Sequence, residues 1–539
     1  MVNSRALLLF ACTAAAGVSC KPKIVWGPCD DVEFAKAPLP VQCGSIPVPY
    51  DYTSPNSSTF DLEIVRIPAA TNNSRGSILH NFGGPGAEAR QTLALALGPL
   101  LQQLSGGEYD LVAFDPRGTG KTIPFNCVNN TALETEMLMG SLISVDSREN
   151  MGRMWARGGV NSYICQTDPN GVGQFVGTAF TARDFIRVVD ALGEDSMLRY
   201  WGFSYGTTLG ATLASMFPER VDRMIIDGVQ NPHEYYHAFA DFEEWSDTDE
   251  ALRTMFRACI AAGPEACPLA SHRMSAEELE TETYTILDDL QINPIALGGL
   301  ILDHFLAKAF IAEGLKAQTS WPGTTAIIDA LFRHDLVTLN ALFMAIAEEQ
   351  AIDRPIQALE SLWSIHCGDR EPRAKSLADI QPAFEKLQNT SKLVGAAFAP
   401  RTAICARWPF EAKERVSGDF QAKTKNPMLI VGNTIDGHTP LRSALNVSDG
   451  FDGSVVLEVN GTGHCSINLP SACVAEKTIN YWLEGVLPGK GEVCQVDALP
   501  FSATTWADVF EGMGLAARSM LKKRDGDRIP GYLLDFRWF

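Results

Sequence analysis

Positive charge is scarce in this chain of 539 residues, where 44 lysines and arginines stand against 64 aspartates and glutamates, a net charge of −20. A nucleic-acid-binding protein usually presents a basic face, so that class is disfavoured. No C-x-x-C spacing occurs among the 13 cysteines, which argues against a zinc site. Beyond the N-terminus no apolar run approaches the length of a membrane span, and there is no internal repeat. The 46% hydrophobic content indicates a globular protein, and the length allows either one large core with an insertion or two to three ordinary domains.

The N-terminus is typical of a secretory signal peptide. Arg5 precedes an apolar stretch over residues 6–18, and small residues lead to Cys20. This pattern predicts a signal peptide over residues 1–20 and a secreted, extracellular protein. A bacterial lipoprotein cleavage box is the alternative, but Gly17 stands where leucine is preferred.

The cysteines and sequons agree with export. Neighbours in sequence suggest five disulfides in an oxidising compartment and leave Cys465 unpaired, although sequence alone does not fix connectivity. The suggested pairs are Cys29–Cys43, Cys127–Cys165, Cys259–Cys267, Cys367–Cys405 and Cys473–Cys494. N-x-S/T sequons, each a candidate glycosylation site, occur at Asn56, Asn72, Asn129, Asn389, Asn446 and Asn460.

Strand-like and helix-like segments alternate up to about residue 230, stop over a helix-rich stretch, and resume near residue 427. The strand-like apolar runs lie near residues 77–79, 111–114, 197–201, 223–228, 428–431 and 454–459. This order predicts an α/β fold, a mostly parallel sheet with helices on both faces and an inserted helical cap. We expect the first part of the core over residues 21–230, the cap over 231–405, the second part of the core over 406–500 and a C-terminal tail over 501–539. The segments 275–290 and 326–347 are amphipathic helices of the cap, and Thr181 opens a core helix that Gly193 ends.

The pentad Gly202-Phe203-Ser204-Tyr205-Gly206 matches G-x-S-x-G between a short apolar run and a helix-like stretch. Strand, tight turn and helix form the context of a nucleophile elbow, which predicts the α/β-hydrolase fold and Ser204 as a nucleophile.

A serine nucleophile needs a base, and the base needs an orienting acid, in the chain order Ser, Asp, His for this fold. The two resumed strands, 428–431 and 454–459, run into loops that carry Asp436 and His464, which are the predicted acid and base. His438 is the competing base, but it lies two residues from Asp436 before any further strand. The alternative for Asp436 is a purely structural role as an aspartate in a turn or helix cap. We interpret Asp115 as a structural turn residue.

Acyl transfer also needs donors for the oxyanion. The backbone amide of Tyr205 and one amide of the loop Gly83-Gly84-Pro85-Gly86 suit that task, and the sequence leaves the choice between Gly83 and Gly84 open.

Taken together, the segments Asn81–Gly86, Phe114–Gly120, Trp201–Thr207, Asp436–Pro440 and Gly463-His464 resemble secreted tripeptidyl aminopeptidases, in the proline-iminopeptidase-related branch of α/β-hydrolases. The resemblance extends from about residue 40 to 495 and includes a TAP-like C-terminal region with Cys473 and Cys494. It implies a Ser204, Asp436 and His464 triad, a helical cap, and release of short peptides from the amino terminus of a peptide substrate.

The chain departs from the family pattern at Ala87-Glu88-Ala89, Lys121-Thr122 and Cys465, which bears on specificity more than on the triad. An exopeptidase must bind a free amino group, which calls for carboxylates in the cap. Glu243 and Glu244, in the run Asp241–Trp245, are candidates and Glu88 is another. A solvated acidic helix face is the alternative for the run.

Two other functions stay open. The same triad supports an esterase, thioesterase or amide hydrolase acting on a small acyl substrate, because fold and triad do not fix the acyl group. A non-catalytic binding protein on a hydrolase scaffold is the third reading. We expect no cofactor, no metal, no nucleic-acid partner and no membrane span, and the sequence does not indicate the oligomeric state.

Overall fold

The computed structural model describes residues 23–128, 130–141, 143–167, 171–297, 299–349 and 355–514. The expected signal peptide, the sequon at Asn129 and residues 515–539 of the tail lie outside the described residues. Within the described part, no helix has the length and apolar character to cross a membrane.

Eleven strands occur in the described residues, and nine of them form one sheet in the order β1-β2-β4-β3-β5-β6-β9-β10-β11. β2 is antiparallel to both its neighbours, and every other pair in this sheet is parallel. The remaining two strands pair as a small antiparallel hairpin. The strands are β1 (Gln42–Pro49), β2 (Thr59–Ile67), β3 (Ser77–Asn81), β4 (Asp110–Phe114), β5 (Leu198–Phe203), β6 (Val221–Asp227), β7 (Ile295–Leu297), β8 (Leu300–Leu302), β9 (Leu429–Ile435), β10 (Val455–Thr462) and β11 (Val493–Gln495).

Helices cover both faces of the sheet and build the cap. The α-helices are α1 (Ala89–Gln91), α2 (Gly98–Leu104), α3 (Thr131–Ser141), α4 (Arg148–Cys165), α5 (Thr178–Leu192), α6 (Tyr205–Met216), α7 (Pro232–His237), α8 (Thr248–Ala262), α9 (Ala276–Asp289), α10 (His304–Gly314), α11 (Trp321–Phe332), α12 (Leu336–Glu349), α13 (Pro355–Asp369), α14 (Leu377–Thr390), α15 (Gly395–Ala406), α16 (Leu441–Gly450), α17 (Ala472–Glu484) and α18 (Trp506–Gly512). A π-helical turn, Thr92–Leu97, joins α1 to α2. The 3₁₀ turns are Val32–Lys36, Pro218–Arg220, Glu243–Trp245, Pro268–His272, Gln318–Ser320 and Ser466–Asn468.

The central strands are apolar on both sides because each face of the sheet is covered. Every residue of β3 and β5 is buried. One apolar cluster holds Phe185 of α5 and Leu209 of α6, and another on the sheet holds Trp201 of β5 and Trp482 of α17. The predicted α/β-hydrolase architecture is therefore confirmed.

Between β6 and β9 the chain leaves the sheet for helices α7 to α15, and most of these helices share an apolar cluster of their own. Val145, just before α4, and Met154, within α4, belong to that cluster. The amide of Val145 donates to Ala396 O of α15 at 3.1 Å. The cap thus recruits a segment from the first part of the core, which its position in the chain did not indicate.

Two predicted helices differ in their bounds. α5 begins at Thr178 and not at Thr181, because the Asp369 carboxylate accepts the amide of Thr178 at 3.0 Å and caps the helix from a distant segment. The amphipathic stretch 326–347 is divided between α11 and α12 by a turn in which His334 has φ of 49°.

The sulfur atoms of the five suggested cysteine pairs lie at bonding distance, 1.95–2.06 Å, and Cys465 is free and buried. The sequon asparagines within the described residues are exposed at Asn56, Asn72, Asn389, Asn446 and Asn460. Their glycosylation remains a prediction.

Candidate active site

Ser204 occupies a strained turn between β5 and α6, with φ of 55° and ψ of −124°. Both glycines of the pentad are required by packing. A Cβ on Gly202 would lie 2.3 Å from Gly206 O, and a Cβ on Gly206 would lie 2.6 Å from Asn81 O. The small residues let the strand turn sharply into the helix, which holds the serine hydroxyl at the end of the sheet as a nucleophile elbow does.

Asp436 follows β9 directly and is fully buried. Its carboxylate accepts the amides of His438 at 2.9 Å and Thr439 at 3.0 Å, and the Thr439 hydroxyl at 2.8 Å. Burial alone would raise the pKa of this carboxyl, but the facing His464 and these donors outweigh burial and lower the pKa below its ordinary value. Asp436 is therefore ionised at neutral pH.

His464 lies two residues beyond β10, and its Nδ1 is 3.0 Å from Asp436 Oδ2 and 3.1 Å from Oδ1. Its backbone amide donates to Lys316 O of the cap at 2.7 Å, and its carbonyl accepts the Asn468 side chain. Nδ1 is thus committed to the carboxylate, which leaves Nε2 for proton transfer.

One cavity between core and cap brings Ser204 and His464 together, although no hydrogen bond joins these two side chains in the described residues. Catalytic contacts are often long without substrate, so this does not exclude the pair. The residues that line the cavity are Phe82, Gly84, Ala87, Thr92, Leu97, Phe203, Ser204, Glu244, Trp245, Lys316, Phe398, Arg401, His438, His464, Cys465, Ile467 and Asn468.

The loop after β3 narrows the choice of oxyanion donor. The amide of Gly83 donates to Asn81 Oδ1 at 3.0 Å, so it is occupied. Gly84 lines the cavity, and its amide has no acceptor among the described residues, as is also true of the Tyr205 amide at the start of α6. Gly83 has φ of 95°, and a Cβ at this position would lie 2.8 Å from Ser204 Cβ. A glycine is therefore needed here so that the backbone of this loop can pass close to Ser204.

Asp227, at the end of β6, braces the loop that carries His464. Its carboxylate accepts the Ser466 amide at 2.8 Å and the Ser466 hydroxyl at 2.6 Å, and its carbonyl accepts the Ser204 amide at 3.1 Å. Burial raises the pKa of this carboxyl to about 6. Asp227 and Asp436 are both buried carboxyls after strands, and only Asp436 contacts the histidine.

Of the three carboxylates predicted to bind an amine, only Glu244 lines the cavity. Glu243 accepts the Ser443 hydroxyl at 2.5 Å and the Asn231 side chain at 3.2 Å, away from it. Glu88 caps α1 and lies beside Asp115, which is buried, and their proximity contributes to a pKa of Asp115 raised to about 7. Glu88 and Glu243 are therefore not among the residues that line this cavity.

The run Asp241–Trp245 is not a solvated acidic face. Asp241 is 3% exposed, and both of its carboxylate oxygens accept hydrogen bonds of 2.7 Å from the Arg370 guanidinium. The Arg401 guanidinium lies 3.0 Å from the Glu244 carboxylate and 3.3 Å from the Asp241 carboxylate. Burial raises the pKa of Glu244 to about 7. The cap therefore offers a buried acid whose charge changes near neutral pH.

Two cations that the sequence did not predict lie in the cavity, together with His438, the histidine that competed with His464 for the role of base. Lys316 and Arg401 line the cavity from the cap, and neither belongs to a recognisable motif. His438 also lines it, with its ring 5.4 Å from that of His464 and 5.3 Å from Trp245. His438 donates only its backbone amide to Asp436, so the acid orients His464 and not His438.

Comparison with known proteins bears on the fold and on the class of enzyme. Residues 78–258 match the family described as alpha/beta hydrolase fold and residues 391–494 match the family described as TAP-like protein. The chain has the α/β-hydrolase fold, and its similarity to the proteins named below indicates a serine hydrolase. Within that class, the resemblance to tripeptidyl aminopeptidases is confirmed by relatives of similar length.

Serine protease Hip1 of Mycobacterium tuberculosis is 27% identical over 91% of this chain and 95% of its own. Tripeptidyl aminopeptidase of Streptomyces coelicolor is 27% identical over 86% and 84%. Carboxylesterase B of M. tuberculosis is 26% identical over 83% and 85%.

Proposed function

We propose that this protein is a serine aminopeptidase of the tripeptidyl type, with Ser204 as nucleophile, His464 as general base and Asp436 as the orienting acid. The hydrogen bonds between His464 Nδ1 and the ionised Asp436 carry the proposal, because they leave Nε2 facing a cavity that Ser204 lines. Similarity to proteins named serine protease and tripeptidyl aminopeptidase supports the choice of a peptide substrate.

In the first half-reaction His464 Nε2 takes the Ser204 proton while Oγ attacks the scissile carbonyl carbon. The amides of Gly84 and Tyr205 donate to the oxyanion that forms. His464 then gives its proton to the leaving nitrogen, the C–N bond breaks, and an acyl-enzyme remains on Ser204. Water, deprotonated by His464, attacks that ester, and the bond between the acyl carbon and Ser204 Oγ breaks. His464 returns the proton to Oγ as the short peptide leaves as a carboxylic acid.

Glu244 is the candidate for binding the substrate ammonium, because it is the one carboxylate among the described residues that line the cavity. Arg401 already lies against it, so the site is not strongly negative before substrate binds. A free amino terminus would share Glu244 with Arg401, whose second partner is Asp241.

An esterase acting on a small acyl substrate is the second candidate. Two observations favour it: the balanced charge around Glu244, and similarity to a protein named carboxylesterase B. Both functions use the same acyl-enzyme, so only substrates separate them.

We also propose that the protein is exported. Five cysteine pairs at bonding distance suit an oxidising compartment, and the N-terminal sequence is typical of a signal peptide. Mass spectrometry of protein recovered from culture medium tests this: the expected product begins near residue 21 and has ten cysteines in disulfides. Retention of residues 1–20 in a protein confined to cells would contradict it.

The experiment for the enzymatic function compares tripeptidyl, dipeptidyl and aminoacyl arylamides, their N-acetylated forms and p-nitrophenyl esters. We expect turnover of tripeptidyl arylamides and a large loss on N-acetylation, with no turnover of any substrate by Ser204→Ala. Ester turnover with every arylamide inert would replace the aminopeptidase by an esterase.

A further inference from the structure

The part of the cavity that the core builds beside the nucleophile is apolar. Phe203 directly precedes Ser204, and its ring stacks on that of Phe82 with 5.9 Å between the centroids. Phe203 also belongs to an apolar cluster of the core that includes Leu97 and Ile467. Four large apolar side chains of the core therefore line the cavity, and we call them the apolar wall: Phe82, Leu97, Phe203 and Ile467.

The apolar wall carries no acid, lysine or arginine among the described residues. The side chains of those types that line the cavity all come from the cap, and they are Glu244, Lys316 and Arg401. Thr92 lines the cavity beside the wall, but its hydroxyl donates to Glu88 O at 2.9 Å and is committed to the backbone. A polar group of a substrate would lose its hydration against this wall without gaining a partner, so the wall favours an apolar group.

Leu97 reaches the cavity because the helix before α2 is locally widened. Thr92–Leu97 is a π-helical turn, after which the amide of Gly98 donates to Leu93 O, five residues back. Residues five apart on an α-helix point about 140° away from each other. The wider turn brings such residues towards one side, and Thr92 and Leu97 both line the cavity.

The sequence after the turn explains why the helix widens here. Pro99 has no amide proton, so it cannot make the α-helical hydrogen bond to Leu95 O. A Cβ on Gly98 would lie 2.4 Å from Ile67 Cδ1, so glycine lets α2 start close against the end of β2. π-helical turns are rare and occur frequently at functional sites. This turn has such a position, because it follows the loop that carries the oxyanion donor.

We propose that the apolar wall is the pocket for the side chain of the residue whose carbonyl is attacked, that it selects a large apolar side chain such as leucine, and that Leu97 sets the size it accepts. The pocket rests on the proposed hydrolytic site, because that carbonyl must lie at Ser204, directly after Phe203. A substrate ammonium held at Glu244 in the cap would leave the acylating residue against the core. Apolar area removed from water there adds to transition-state binding.

Substrates that differ only in one side chain test the pocket in the wild type. We expect kcat/KM for Ala-Ala-Leu p-nitroanilide to exceed that for the Ala-Ala-Ala and Ala-Ala-Asn compounds at least about tenfold each. Alanine lacks the apolar group, and asparagine has nearly the shape of leucine but is polar. Rates for alanine or asparagine equal to that for leucine overturn the pocket.

Changes of size at Leu97 test its own role. Leu97→Ala should raise the ratio of kcat/KM for Ala-Ala-Phe over Ala-Ala-Leu p-nitroanilide by about tenfold, because it enlarges the pocket. Leu97→Phe should bring the ratio of leucine over alanine near one, because it fills the pocket. Leu95→Ala, in the same turn but not among the described residues that line the cavity, is the matched control and should keep both ratios. A merely structural role of Leu97 would lower all rates together with unchanged ratios, which overturns the assignment.

If Leu97→Ala does not fold, Leu97→Val replaces it. Valine removes a single carbon, and the ratio of phenylalanine over leucine should then rise by about threefold. An unchanged ratio in folded Leu97→Val counts against the role of Leu97.

Failure of the pocket and failure of the aminopeptidase function give different results. If arylamides are inert, p-nitrophenyl 4-methylpentanoate and p-nitrophenyl propanoate replace them, with Ser204→Ala as the blank. These esters carry the leucine and alanine side chains without the amino group. A preference for the longer acyl group that Leu97→Phe removes supports the pocket under either function. Equal turnover of the two esters by the wild type, or a preference that survives in Leu97→Phe, overturns it.

Discussion

The two walls of the cavity are built differently. On the core wall, Ser204, Asp436 and His464 each stand within two residues of the end of a strand, β5, β9 or β10. On the cap wall, Glu244 lies in a 3₁₀ turn and Lys316 in a loop, while Arg401 is within α15. The core wall is positioned by the backbone of one continuous sheet, whereas the cap wall is positioned by side-chain ion pairs. Arg401 and Asp241 belong to separate segments, and Lys316 and Glu313 are three residues apart.

This difference separates chemistry from the recognition of charge. Parallel strands end at one edge of the sheet, so residues that follow them meet there whatever the loops contain. The cap charges meet only because Asp241 holds Arg370 and Arg401 together, and Glu313 holds Lys316. Changes to the triad should therefore alter turnover with every substrate, and changes on the cap wall should alter the response to substrate charge.

The largest effect is expected from Ser204→Ala. Loss of the nucleophile should lower kcat by about 10⁶-fold for arylamide and ester alike, because no acyl-enzyme forms. Steady-state kinetics and labelling by a fluorophosphonate probe measure it, and Ser215→Ala at the end of α6 is the matched control. Labelling of Ser204→Ala at the wild-type rate would remove Ser204 from the mechanism.

Asp436→Asn should lower kcat by about 10⁴-fold, since an amide does not stabilise the protonated histidine or hold its tautomer. Asp227→Asn is the comparison, because Asp227 is equally buried but contacts Ser466 and not His464. We expect kcat of Asp227→Asn to fall by less than about a hundredfold, because this substitution leaves the contact between Asp436 and His464 in place. Equal losses in the two variants, measured on one ester, would show that the acid has been misassigned.

Glu244 should control binding of free amines and leave ester chemistry alone. Its pKa of about 7 means that the carboxylate predominates above pH 7 and the neutral acid below it. KM for a tripeptidyl arylamide should therefore rise as pH falls from 8 to 6, and Glu244→Gln should raise KM at pH 8 by about tenfold. A KM that rises equally for an ester without an amino group would contradict this role.

The smallest effect concerns stability. A carboxyl whose pKa is higher in the folded state binds protons more tightly when folded, so its contribution to the free energy of unfolding declines as pH rises between the two pKa values. For Asp227 these are 3.8 and about 6. Asp227→Asn removes that decline, so the free energy of unfolding of the variant should rise relative to that of the wild type by about 2 kcal/mol between pH 4 and pH 7.

Urea denaturation of both proteins with disulfides intact, at pH 4 and at pH 7, measures this difference. A constant difference between Asp227→Asn and wild type across that range would show that Asp227 has an ordinary pKa in the folded protein.

The strands of the core were predictable in type and near their ends. The apolar runs near residues 77–79, 111–114, 197–201, 223–228, 428–431 and 454–459 correspond to β3, β4, β5, β6, β9 and β10. Continuous burial on both faces leaves a clear signal in sequence. The early start of α5 was not predictable, because the acceptor for Thr178 is Asp369, a residue 191 positions away.

The site divides in the same manner. The G-x-S-x-G pattern and chain order were sufficient to predict Ser204, Asp436 and His464 as a set whose catalytic roles remain to be tested. Local pattern could not distinguish Gly83 from Gly84, since that depends on the Asn81 side chain turning back to accept one amide. Nor could it show that Glu244 faces the cavity while Glu243, its neighbour, faces Ser443.

Local sequence patterns were sufficient to predict the hydrolase fold and the residues of the proposed triad, because a nucleophile elbow and strand-end residues obey short-range rules of backbone geometry. Which charges face the cavity depends instead on how the cap packs against the core. Lys316, Arg401 and His438 carry no motif, and each reaches the cavity through contacts with residues far away in the chain. Burial, which sets their charge and leaves His438 unpartnered, is a property of the assembled cap and core together.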